Sequence, residues 1–108
     1  MENVLDNFSQ IANRYKALFC DLWGCLHNGK ESFNEALEAL ANFKSQGGLV
    51  ILLTNAPRCS QVVEKFIDGI GITKNFYDEI ITSGDATMVS IRSGKFGTDF
   101  YHIGPSRD

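Results

Sequence analysis

The sequence predicts an α/β fold, a parallel sheet with helices on both faces, and two observations carry that prediction. The apolar runs Ala17-Leu18-Phe19-Cys20 and Leu49-Val50-Ile51-Leu52-Leu53 lack the polar alternation of a strand with one wet face, so both read as strands buried on two sides. Segments with three- and four-residue apolar spacing separate such runs, and strands alternating with helices of this length build βαβ units around a parallel sheet.

Each element follows in order. Val4, Leu5, Phe8, Ile11, Ala12 and Tyr15 make an apolar stripe that predicts an amphipathic helix over 3–15. A first strand at about 17–22 carries the acid Asp21 near its C-terminal end. Ser32 and Glu35 have capping-box spacing, and Phe33, Ala36, Leu37, Leu40 and Phe43 continue a helical stripe until Gly47-Gly48 stops it. The second strand, 49–53, runs into the loop chemistry of Thr54-Asn55-Ala56-Pro57. A third helix spans about 60–70 on the stripe Val62, Val63, Phe66, Ile67 and Ile70. A strand at 79–82, a helix capped by Ser83 and running to Ile91, and a strand at 99–103 complete the pattern.

Composition narrows the function classes. The 108 residues carry 10 Lys+Arg against 13 Asp+Glu, a net charge of −3, and 44% are hydrophobic, enough for one core and against disorder. Interspersed charges with no basic run give no footprint for nucleic acid or an anionic membrane. The first 16 residues lack the basic start and apolar stretch of a signal peptide, and the longest apolar run is strand-sized, so a cytoplasmic chain without a membrane span is expected. Cys20, Cys25 and Cys59 include no Cys-x-x-Cys pair and read as buried thiols, neither disulfides nor zinc ligands. His102 reads as structural for want of a ligand-spaced companion, and Gly94 and Gly97 lack the Gly-Lys-Ser/Thr ending of a phosphate-binding loop.

In parallel sheets ligands bind outside the carboxyl ends of the strands, and here those ends carry Asp21 and Thr54-Asn55. A lone carboxylate after apolar residues is costly to bury, so Asp21 belongs at a solvent-facing crevice. A carboxylate attacks phosphorus to give an aspartyl-phosphate when a metal and hydrogen-bond donors offset the negative charge. A turn acid is the bland alternative for Asp21, and a flavodoxin-like or receiver-like domain would also end a strand in an acid. A receiver would further need an acidic pair near its first strand and a Lys after a later one, and neither is evident.

Phe19-Cys20-Asp21-Leu22-Trp23-Gly24 resembles the first motif of the haloacid dehalogenase (HAD) superfamily, hydrophobic residues followed by Asp-x-Asp-Gly, and Leu49 to Asn55 resembles the second. Ala56-Pro57-Arg58 and Ile80-Ile81-Thr82-Ser83-Gly84-Asp85 are similar to the members with a C2-type cap. The resemblance implies a Rossmann-like sheet and a magnesium-dependent phosphatase acting on a small phosphorylated metabolite, such as a sugar phosphate. It makes Asp21 the nucleophile and a Mg²⁺ ligand, gives the Trp23 carbonyl to the same ion, and sets Thr54 and Asn55 on the phosphoryl group. It also implies that residues 1–108 are the N-terminal part of a core domain, without its cap and with no second domain, inactive alone and open to homo-oligomer formation through an uncovered sheet edge. The departure lies at Trp23, where the family has a second Asp as acid/base. An indole moves no proton, which leaves a non-catalytic phosphate-ligand or protein-binding module as the alternative. His27 is a candidate substitute acid/base, weighed against a solvated turn residue, and Arg58 is a candidate phosphate contact, weighed against a surface Arg.

Overall fold

The computed structural model describes residues 4–108. Its sheet has the order β1 (Ala17–Cys20), β2 (Leu49–Thr54), β3 (Glu79–Thr82), all parallel. The register sets Cys20 against Leu52 and Thr54 against Thr82, so the C-terminal ends of all three strands open on one edge. Helix α2 (Asn34–Ser45) crosses from β1 to β2 and α3 (Ser60–Gly69) from β2 to β3. Two successive right-handed crossovers in one direction set both helices on the same face. There Val50 and Leu52, wholly buried, meet Leu37, Leu40, Phe43, Val63 and Ile67 in a single core. The other face shows Phe19, Leu53 and Ile81, with Phe19 62% exposed, so the described residues cover it only in part.

The α/β class and three of the four expected strands stand, and local departures have local causes. The helix expected over 3–15 shrinks to α1 (Ser9–Ala12), and residue 3 lies outside the described residues. The Asn7 side chain accepts from the Ser9 amide and the Gln10 side chain from the Asp6 amide, which diverts the backbone before Ser9. Only Phe8 and Ala12 reach the core, too little packing to extend so short a helix. The Ser32/Glu35 capping box does not form. Ser32 bridges to His27 and the Phe33 amide donates to the Leu26 carbonyl, so the chain is still extended at Phe33, and α2 begins at Asn34. Its other end stops as expected, with Gly47 at φ 86° and the Gly47 and Gly48 amides donating back into the last turn.

The strand expected at 99–103 is absent from the structure. Phe100, Tyr101 and Ile103 are exposed and pair with no strand among the described residues, and without a ladder partner apolar alternation alone does not hold an extended segment in a sheet. Helix α4 (Ser83–Arg92) is capped not by Ser83 but by Thr82, whose hydroxyl accepts from the Asp85 amide at 2.9 Å.

One ion pair pins the sheet at its other end. Asp78, just before β3, accepts from the Val50 amide at 2.8 Å with one oxygen and pairs with Lys44 of α2 through the other. The Lys44 ammonium and then the Val50 amide hold the Asp78 carboxyl below the usual aspartate range. A depressed folded-state pKa contributes stability above the unfolded range and loses it as pH falls through the folded one. Asp78→Ala should therefore cost about 1–2 kcal/mol at pH 7, discounted for partial exposure. Urea unfolding should show that gap closing below about pH 4, and a pH-independent gap would contradict the assignment.

Candidate functional site

The loop after β1 is organised around buried Leu22. Its carbonyl accepts from the amides of Cys25 and Leu26, and Leu26 is buried beside it, so Leu22–His27 folds into a tight turn. Asp21, one residue earlier, is exposed and accepts from the Leu22 amide at 2.8 Å. After β2, the Thr54 hydroxyl accepts from the Ala56 amide at 3.2 Å. The loop from Thr54 to Ser60 is then held by the first turn of α4, where the Gly84 amide donates to the Ala56 carbonyl and Asp85 accepts from the Ser60 amide. Gly84 lies so close to the Arg58 backbone that a Cβ there would collide with it.

Two depressions meet at these loops. The first, about 590 Å³, is an open groove at the strand ends that brings together Asp21, Thr54, Asn55 and Ser83. The second, about 280 Å³, lies beside it, shares Thr54 and Asn55, and is walled by Trp23, His27, Arg58, Val62 and Phe66. Of the four residues expected at the site, Asp21, Thr54 and Asn55 share the groove, whereas the Trp23 side chain belongs to the neighbouring cavity. Trp23 lies against Gly29, whose missing Cβ makes room for the indole, and meets His27 edge-on at 5.5 Å.

His27 is no solvated turn residue. It is 4% exposed, packs edge-on against Phe66 at 5.6 Å, and its Nδ1 accepts from the Gly29 amide at 2.9 Å. That bond needs the Nδ1 lone pair, so the neutral ring carries its proton on Nε2. Burial lowers its pKa and outweighs the opposing pull of Asp21. Arg58 Nε donates to Asp108 at 2.9 Å, and the other N–H groups of its guanidinium have no protein partner among the described residues. Cys20 and Cys59 are half-buried, but Cys25 is exposed, against expectation. Burial first, then Cys25 and Asp21, push the Cys20 thiol up to about 11, which keeps it protonated and inert beside the nucleophile candidate.

Among the described residues no three His, Cys, Asp or Glu side chains converge on a metal position. What the groove offers is one exposed carboxylate, that of Asp21. That hard oxygen donor suits Mg²⁺, which keeps several waters and takes one or two carboxylates. Sequence reasoning missed Ser83, read as a cap, and, beyond Trp23 as a candidate apolar wall, missed the part of Val62 and Phe66 in the cavity. The signal for Ser83 was its position right after the third strand, level with Asn55 after the second.

The profile of the haloacid dehalogenase-like hydrolases matches residues 18–108, and the chain belongs to that family. The crystal structure of a haloacid dehalogenase-like hydrolase from Brucella suis 1330 superposes with a TM-score of 0.88 at 36% identity, over 96% of this chain. The chain spans 38% of that protein's length. Comparison with curated proteins gives no match. No helix among the described residues is long and apolar enough to cross a membrane.

Two measurements check this geometry. Gly84→Ala should lower stability by about 1–3 kcal/mol in thermal melts by forcing a methyl into the Arg58 backbone. Gly69→Ala, with open space at its Cβ position, should leave the melt unchanged or raise it. Imidazole nitrogen NMR of His27 at pH 7 should show the neutral Nε2–H form, with protonation only below the ordinary His range near pH 6.5; a charged ring at pH 7 would contradict the Gly29 bond.

Proposed function

We propose that this chain carries the nucleophile and phosphate-holding half of a magnesium-dependent phosphotransfer site acting on a small phosphorylated metabolite. One observation carries the reading: Asp21, Thr54, Asn55 and Ser83 line a single groove across the carboxyl ends of adjacent parallel strands. An Asp21 oxygen attacks phosphorus, the bond from phosphorus to the ester oxygen breaks, and the leaving oxygen departs with the electron pair. Thr54, Asn55 and Ser83 supply donors to the phosphoryl oxygens. A magnesium ion held by Asp21 and the Trp23 carbonyl would neutralise charge between carboxylate and phosphate.

No carboxylate stands at residue 23 to protonate the leaving oxygen or activate water. Loss of a positioned acid/base typically removes about 10² to 10⁴ in rate. Esters with good leaving groups still phosphorylate Asp21, but hydrolysis of the aspartyl-phosphate becomes slow. A second reading, a phosphate-ligand or protein-binding module without turnover, is favoured by the same residue, since the Trp23 ring packs on Gly29 and His27.

Intact mass after brief incubation with Mg²⁺ and an activated aryl phosphate separates the two. Without turnover of its own, the wild-type chain should still gain one phosphoryl group, and Asp21→Asn none. Thr54→Ala should weaken phosphate binding about tenfold, the value of one charge-assisted hydrogen bond. Labelling that survives Asp21→Asn removes the nucleophile assignment. Phosphate binding without labelling selects the binding module.

A further inference from the structure

We propose that the cavity beside the groove receives the organic part of the phosphate ester and selects a flat aromatic or heteroaromatic group, with Trp23 as the specificity-determining residue. The inference rests on the phosphate-site reading above and adds the substrate class.

Three observations converge. Thr54 and Asn55 line both depressions, so the cavity adjoins the place where a phosphoryl group would be held and is within reach of its ester substituent. At about 280 Å³ the cavity exceeds the roughly 150 Å³ that holds a benzene molecule in an aliphatic-lined site, and so takes one substituted ring. Its walls are mainly apolar, Trp23, Phe66 and Val62 among them, with polar side chains at Thr54, Asn55, His27 and Arg58, so a flat ring covers more of the wall than a sugar bearing hydroxyls on all sides.

Trp23 itself is built for stacking. The chain's one tryptophan is 66% exposed, yet its ring is fixed against Gly29 and edge-on to His27, which is in turn edge-on to Phe66. A rigid exposed indole loses little side-chain freedom when a ring stacks on it. The chemistry agrees. A site without a general acid at residue 23 favours leaving groups that depart unprotonated, and phenolates do so far more readily than sugar alkoxides.

Non-hydrolysable phosphonates test this on the intact chain with Mg²⁺. In calorimetric titrations phenylphosphonate should bind about tenfold or more tightly than methylphosphonate, and should change Trp23 emission where methylphosphonate does not. Trp23→Ala and Phe66→Ala should each remove the aryl preference, with methylphosphonate affinity kept in Phe66→Ala and folding checked by circular dichroism. Trp23→Phe, which retains a ring, should keep part of the preference. Equal affinity for the two phosphonates, or a preference that survives Trp23→Ala, overturns the inference while leaving the phosphate site standing. Binding of phenylphosphonate with none of methylphosphonate or inorganic phosphate keeps the aromatic cavity and overturns the phosphate groove. Absence of all binding overturns both.

Discussion

Strand β2 is hydrogen-bonded along both edges, and its Val50 and Leu52 are wholly buried against α2 and α3. Every functional position in the chain depends on that central strand. Parallel pairing on either side brings the end of β1 and the end of β3 level with its own, and a shift of one residue would turn Val50 and Leu52 out of the core. Because that shift is so costly, the loops at residues 21 and 83 are held beside Thr54 and Asn55. Asp78 and Lys44 lock the start of the ladder, and Thr82, Gly84 and Asp85 lock its polar end.

In the proposed reading, a proton-transfer group at residue 23 is exchanged for a recognition surface. The position where the family carries a second carboxylate holds an indole, and the fold accommodates it at three places: Gly29 gives it room, His27 meets its face edge-on, and Phe66 backs the imidazole. His27 thereby becomes a buried neutral ring whose Nδ1 is already occupied, which unsuits it as a substitute acid. Asp21 is the one carboxylate lining the groove, and the neighbouring Cys20 thiol stays protonated.

Much of this was legible in the residues. Continuous apolar runs ending in Asp21 and Thr54 gave away the buried strands and the polar edge, because burial on two faces leaves little other reason for a polar residue to appear there. What was not legible depended on partners distant in sequence. The stripe from Val4 to Tyr15 has helical spacing, but Asn7 and Gln10 side chains bind the backbone and too little of it reaches the core. Residues 99–103 alternate as a strand does, yet a strand needs a neighbour. Ser83 lost its expected capping role to Thr82, since the last residue of β3 is still extended and its hydroxyl already faces the Asp85 amide. Trp23 was legible as an apolar wall beside the ligand loop, but its partnership with Phe66 was not, because the two lie on different elements and meet across His27.

The proposed function stands or falls on whether a phosphoryl group binds in the strand-end groove. Amide chemical-shift mapping with orthovanadate, which mimics the pentavalent phosphoryl transition state, addresses it directly in the presence of Mg²⁺. Shifts are expected at Leu22, Asn55, Ala56, Ser83 and Gly84, all lost in Asp21→Asn with Thr54→Ala. Shifts centred instead on the surface depression bearing Gln61, Lys65 and Lys74, or no shifts at saturating vanadate, would contradict it.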